Sequence, residues 1–389
     1  MCLWNRRARI GWLGGEPVDI RVFSFSRILA RDVLGSCRDG GDPGVHLEAA
    51  ISWLKRAHDL SADNGVSYGY SLRGGWRPSY RETSGYLAVT FFDLASRIQD
   101  PAYRDRATTI CRWLCDVQNA DGSISNPECG ESRGIVFDTG QVLHGYVRAF
   151  QETGEAAFLE AARKASRWLV EVADPEGRWT TDTYGGIPHT YNTRVSWPLL
   201  ALISNSPDAE RERVARANLD WALTQQRDGW FDQCAFDPGV APFTHTMAYA
   251  IRGLLEAGLL LRESKYLDAA FRGGEAVATH VRGDGFIPGQ IDTAGNAAAG
   301  YCCLTGNCQL AVIWAKLYEQ SGDERFRRSA VDALRFVMSC QDVQTSNPNV
   351  RGAIKGSHPV WGRYARLTFP NWASKFFVDA MLICSRWMS

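Results

Sequence analysis

A threonine opens an apolar, helix-like stretch five times along this chain, 53 to 59 residues apart: Thr83, Thr139, Thr193, Thr246 and Thr305. Their settings read "YRETSGYLAV", "VFDTGQVLHG", "TYNTRVSWPL", "FTHTMAYAIR" and "CCLTGNCQLAVIW", and a related segment, "TFPNWASKFF", holds Asn371. A second signal runs in phase with the first. Glycines recur in "NADGSI", "DPEGRW", "QRDGWF" and "RGDGFI", at Gly122, Gly177, Gly229 and Gly285. Two signals sharing one period mark a repeat architecture, each unit a supersecondary piece that needs its neighbours to cover its apolar face.

Each unit reads as two helices. Val142, Leu143, Tyr146, Val147 and Phe150 share one helical face. After the turn "ETGEAA", Phe158, Ala162, Ala165, Leu169 and Val172 step along a partner helix. Five hairpins start near residues 83, 139, 193, 246 and 305, leaving a lone helix at each end, 45–60 and 371–387. Both are amphipathic, whereas an open solenoid wants polar caps. Pairing them gives a sixth hairpin. The expectation is an all-α, single-domain (α/α)6 toroid over 45–389, closed by its N- and C-terminal helices and preceded by an irregular lead-in, 1–44. A closed repeat also accommodates 389 residues, more than one ordinary core supports.

Lys plus Arg and Asp plus Glu number 43 each, so nothing in the charge balance draws the chain to a phosphate backbone. Nucleic acid is not an expected partner. No apolar run is long enough for a membrane span, and the start lacks an apolar signal core. The eleven cysteines form no CxxC pair. The sequence therefore reads as cytoplasmic, with no metal and no cofactor expected.

In a toroid the inner helices run parallel, so whatever precedes each threonine gathers at one end of the axis. Thr itself is expected to cap its helix. The preceding residue has no such duty, yet this chain places Glu82, Asp138, Asn192 and His245 there. Helix N-termini favour negative charge at that end. The loops above it carry Trp76, Arg77, Tyr80, Tyr184, Tyr191, Lys355 and Trp361, and Arg194, Asn307, Asn371 and Trp372 sit at or near inner-helix starts. Aromatic faces with amide and cationic donors suit a sugar, a carboxylated one above all. Asp138 is the expected proton donor, with Glu82 or Asp182 as the second acid. His189, Tyr191 and His245 are acid/base candidates for elimination or epimerisation. Tyr80, Trp76, Arg77, Tyr184, Asn192, Arg194, Asn307, Lys355, Trp361, Asn371 and Trp372 are the expected substrate-binding set.

The segments "GGWRPSYRETSGYLAVTFFDLA", "FDTGQVLHGYVRAFQETGE", "CCLTGNCQLAVIW" and "FPNWASKFFVDAMLI" resemble VpsJ-type polysaccharide-biosynthesis proteins over about residues 45–387. That resemblance implies a place in exopolysaccharide or surface-glycan metabolism, with an oligo- or polysaccharide substrate and the synthesis machinery as a partner. More distantly, the hairpin pattern resembles the six-hairpin glycosidases, unsaturated glucuronyl hydrolases in particular. Asp138-Thr139-Gly140 matches their acid before a "TGF"-like segment, while their second acid falls on Asn192 here. The implied activity is a glycosidase, lyase or epimerase of uronic-acid-containing glycans. The alternative is a non-catalytic glycan-binding or scaffold subunit. Two further toroid chemistries lack their motifs: a terpene cyclase would need DxDD or DDxxD, and a lanthionine-cyclase-like zinc site would need "CHG" beside Cys302, Cys303 and Cys308.

Overall fold

The computed structural model describes residues 18–34, 41–127 and 130–388. Thirteen α-helices account for most of it: α1 Val18–Val33, α2 Pro43–Asp59, α3 Arg81–Ile98, α4 Pro101–Asp116, α5 Val136–Thr153, α6 Ala156–Glu171, α7 Thr193–Ile203, α8 Ala209–Thr224, α9 Thr244–Leu261, α10 Ser264–Ala278, α11 Leu304–Ser321, α12 Glu324–Cys340 and α13 Asn371–Cys384. The odd-numbered helices from α3 to α13 pack each on the next, and α13 returns to α3, so the inner ring closes. Every inner helix also packs on one outer helix, and the pair that completes the set is α13 with α2. The fold is the expected (α/α)6 toroid. The lead-in 1–44, expected to be irregular, differs in one respect: its described residues include the helix α1 and the first residues of α2.

Inner helices are buried on nearly every face, as α9 and α11 show, while outer helices bury a single stripe. The hairpin turns repeat one chemistry. α3, α5, α9 and α11 end on a left-handed residue, Gln99, Gly154, Arg262 and Gly322. Where an aspartate follows, as at Asp100 and Asp323, its carboxylate caps the outer helix.

The in-phase glycines prove to be spacers between neighbouring outer helices. All adopt positive φ, and a Cβ on Gly285 would stand 2.0 Å from the Asp332 carbonyl oxygen of α12. Gly352 (φ 79°) is a fifth member that the sequence did not reveal; its Cβ would stand 2.3 Å from the Ala49 carbonyl of α2, at the seam of the ring. Gly285→Ala is therefore expected to cost about 2–4 kcal/mol, combining a disfavoured φ with a backbone clash, and chemical denaturation measures it.

The threonines do something other than expected. None caps its helix by side chain. Thr139 donates to the Ile135 carbonyl and accepts from the Ile124 amide, and Thr193 donates to the Ala250 carbonyl of the adjacent inner helix. They lie within the first turn, where the hydroxyls of Thr139 and Thr193 tie helix starts to a preceding loop and a neighbouring helix, Thr246 donates to the Phe243 carbonyl, and those of Thr83 and Thr305 are buried without a partner.

Short strands organise the loops over the N-terminal end of the ring. β1 (Gly69–Ser71) pairs antiparallel with β2 (Gly75–Trp76) and with Thr368–Pro370, drawing the 66–80 and 355–370 loops together.

Candidate active site

Glu82 and Asp138 occupy the first turns of α3 and α5, each only 1% exposed. The Tyr80 hydroxyl donates to Glu82 Oε2 at 2.7 Å, and the Asn126 amide donates to Asp138 Oδ2. Asp138 Oδ1 is buried with no hydrogen-bond partner. Burial raises the Asp138 pKa far above the usual carboxylate range, and the negative charge of Glu82 adds to it. Burial also raises Glu82, but the Tyr80 hydrogen bond and the charge of Arg194 pull the other way. Both carboxyls are raised by burial and each charge disfavours the other, while the Tyr80 hydrogen bond and Arg194 favour ionisation of Glu82 over that of Asp138.

The surrounding helix starts add unsatisfied polar atoms: Asn192 Oδ1, His245 Nε2 and Asn371 Oδ1 are all buried without partners. Native interiors rarely leave such atoms orphaned, and a group of them at neighbouring inner-helix starts suits a polar ligand. His245 and Tyr249, one turn apart on α9, lie ring to ring at 4.4 Å, with Tyr364 4.9 Å from His245. Gln309 of α11 meets His245 Nδ1 at 2.6 Å. Burial depresses the His245 pKa well below that of a free imidazole, with Arg194 reinforcing the effect, so it is neutral at physiological pH. Tyr191 packs edge-on against Phe137 at 5.4 Å, and its ionisation senses both Glu82 and Asp138.

Arg194, 4% exposed, is the unusual member. Its Nε donates to Gln141 Oε1 at 3.1 Å, and its guanidinium lies over Trp197 and Tyr249 at 5.1 and 5.2 Å. It forms no ion pair with a carboxylate among the described residues. A buried guanidinium without a counter-ion is costly unless an anion completes it. Deeper in the ring, on α13, Lys375 is satisfied by Asp379 and takes no such role.

Other expected site residues divide by what holds them. Trp372 donates to the Tyr364 hydroxyl at 2.8 Å and, with Tyr68, walls Tyr80. His189 is stacked on Tyr191, and its Nε2 is committed to the Tyr184 carbonyl at 2.7 Å. Tyr184 is half-buried against Phe236. Asn371 spends its amide on the Ser67 carbonyl.

Four expected residues have other partners. Lys355 is held by Asp32 of α1 in a buried ion pair at 2.6 Å. Asn307 bonds the Gly285 carbonyl and the Cys302 thiol, so it braces two units together. Trp76 is stacked on Trp53 and donates to Asn349, which spends its only donor. Asp182 pairs loosely with Arg133 in a loop, with Glu82 taking the place beside Asp138. Asn126 was missed, because an asparagine in "SISNPEC" carries no pattern that separates it from a turn residue. Trp361 and Arg77 line a separate loop pocket, treated below.

No family model matches the chain, and no curated protein matches it in sequence. Solved structures do match in shape. An unsaturated glucuronyl hydrolase specific for heparin superposes with a TM-score of 0.71 at 14% identity, covering 88% of this chain and 96% of that one. The unsaturated glucuronyl hydrolase of Bacillus sp. GL1 gives 0.69 at 15% identity over 89% and 97%. Cellobiose 2-epimerase of Bacillus thermoamylovorans gives 0.69 at 11% identity over 92% and 99%. The fold is that of the six-hairpin enzymes. Its neighbours include a hydrolase, an epimerase and a D-mannose isomerase, so the architecture alone selects no reaction. No described helix is long and apolar enough to cross a membrane.

Proposed function

We propose that this chain is a carbohydrate-active enzyme that cleaves a uronic-acid-containing glycan by acid/base catalysis. One observation carries the reading: two buried carboxyls, Glu82 and Asp138, stand in the first turns of adjacent inner helices, and Asp138 Oδ1 is unpartnered among other orphaned polar atoms. Glycosidic cleavage requires such a pair, one carboxyl protonating the leaving oxygen and the other ionised to act on water or the anomeric carbon. Asp138 supplies the proton and Glu82 the negative charge; burial raises the Glu82 pKa, and the Tyr80 hydrogen bond and Arg194 oppose that rise. Arg194 receives the substrate carboxylate, Tyr249 and Tyr191 face the sugar, and Asn192 and His245 hydrogen-bond its hydroxyls. The carbohydrate enzymes among the structural neighbours support the substrate class. A role in polysaccharide synthesis rests on the quoted sequence motifs alone.

Elimination or epimerisation at the carbon beside the carboxylate is the second reading, favoured by His245, whose Nε2 is buried without a partner. Product analysis separates the two. Hydrolysis of a saturated uronyl disaccharide releases two saturated sugars and takes up one water-derived oxygen at the anomeric carbon. Elimination instead creates an ultraviolet-absorbing double bond, and epimerisation exchanges a ring proton with solvent.

The pH profile of kcat/KM is expected to be a bell. Its alkaline limb follows loss of the proton from Asp138, whose pKa is raised, and its acid limb follows protonation of Glu82. Tyr80→Phe removes the hydrogen bond that favours the ionised Glu82, so the acid limb is expected to move to higher pH while the alkaline limb moves little. An unshifted acid limb would exclude Glu82 as the base.

A further inference from the structure

A 760 Å³ pocket opens among the loops over the N-terminal end of the ring, lined by Tyr68, Arg77, Tyr301, Trp361, Arg363 and Arg366 among others. Three guanidinium groups line it and no carboxylate does. Arg77 and Arg366 are in no ion pair with any described residue, and the Arg77 guanidinium lies over Tyr68, 3.8 Å from the ring centre. Trp361 is one of the few large apolar side chains left exposed, at 37%.

The loop that presents these groups is built to hold its shape. Ala365 and Leu367 both adopt left-handed backbone, at φ 44° and 57°. The loop is pinned by Leu367 N to Val360 O, Ser357 Oγ to Tyr364 O, and the pairing of 368–370 with β1. Strained non-glycine residues persist only where the surroundings over-determine them, and they concentrate at binding sites. The pocket also adjoins the candidate active site. Tyr68 forms its wall and packs at 5.1 Å on Tyr80, whose hydroxyl serves Glu82.

We infer that this pocket is a second saccharide subsite that takes a further anionic glycosyl unit, through its carboxylate or sulfate, while the first sits at Glu82 and Asp138. The inference rests on the function proposed above and extends it: the substrate is an acidic oligosaccharide, longer than the unit being cleaved. Arginine forks match planar or tetrahedral oxyanions, and an exposed indole beside them gives a sugar face something to stack on.

Calorimetry on the full-length protein tests this without turnover, using Asp138→Asn and the same variant carrying Arg363→Ala and Arg366→Ala. The probes are tetragalacturonate, a heparin-derived tetrasaccharide, neutral cellotetraose and glucuronic acid. The arginine pair is expected to tighten at least one acidic tetrasaccharide by 10- to 100-fold, the better of the two telling carboxylate from sulfate. Removing it should leave glucuronic acid, which fills only the inner site, unchanged, and Arg363→Lys with Arg366→Lys should restore part of the loss. Equal affinity for both acidic tetrasaccharides with and without the arginines overturns the inference, as does cellotetraose binding as tightly as they do, or no binding of either acidic probe. Arginine-dependent tetrasaccharide binding with no measurable glucuronic acid binding would keep this pocket and reject the proposed inner site.

Discussion

Replacing Asp138 by Asn is expected to lower kcat on a uronyl oligosaccharide by about 10³- to 10⁴-fold, because it removes the carboxyl proposed to protonate the leaving oxygen. The substitution is nearly isosteric, and the new carboxamide oxygen still accepts from Asn126, so folding and substrate affinity should stay close to wild type. A leaving group that needs no proton gives the decisive contrast. On a nitrophenyl uronide the loss should shrink by at least an order of magnitude, since a nitrophenolate departs unaided. Equal losses on both substrates would make Asp138 something other than the acid. Loss of binding alone, with kcat intact, would favour the non-catalytic glycan-binding reading instead.

The second large effect concerns stability, not chemistry. Asp32 of α1 reaches under the 355–360 loop, where Oδ1 meets Lys355 Nζ at 2.6 Å and Oδ2 accepts the Val360 amide at 2.7 Å. Both side chains of the ion pair are 5% exposed. Asp32→Ala strands Lys355 without its counter-ion, a change expected to cost about 3–5 kcal/mol. Urea denaturation measures it, and proteolysis near 355–366 should accelerate together with the loss. A cost under about 1 kcal/mol would show that α1 contributes little to this end of the ring. The same contact sets a pH dependence. Burial raises the Asp32 pKa, but His358 and Lys355 more than offset this and bring it down to about 2. A folded-state pKa below the unfolded value adds stability above the unfolded pKa and loses it as pH falls through the folded one. About 2 kcal/mol should therefore disappear between roughly pH 4 and pH 2, and Asp32→Ala should lack that component.

The architecture was readable because its causes are periodic. Each inner helix must bury nearly its whole surface, and each must be followed by a tight turn and a single-faced partner, so the pattern recurs with every hairpin. The glycine signal was visible for the same reason, although its purpose, keeping neighbouring outer helices close, needed coordinates. Gly352 escaped because its loop, "TSNPNVRGAI", lacks the Asp or Glu that precedes Gly in the other four. Site residues were legible only where the repeat itself singled them out. Glu82, Asp138, Asn192 and His245 stand one place before a recurring threonine, and the ring brings their helix starts together. Loop residues had no such marker. Lys355 was read as a sugar contact because a lone lysine among glycines and aromatics looks free, and its partner, Asp32, lies 323 positions earlier. Asn126 and Gln309 escaped for the complementary reason: their work is to hold Asp138 and His245, and an amide in that role has no sequence signature.

The account stands or falls on whether a uronyl sugar lodges at the hollow where the inner helices begin. A crystal structure of Asp138→Asn soaked with a uronyl disaccharide answers this directly. The account predicts the bridging oxygen within about 3 Å of the residue-138 side chain, and the sugar carboxylate on the Arg194 guanidinium. A disaccharide seated elsewhere, or one whose bridging oxygen lies beyond about 5 Å from position 138 with Arg194 still unpaired, would contradict it.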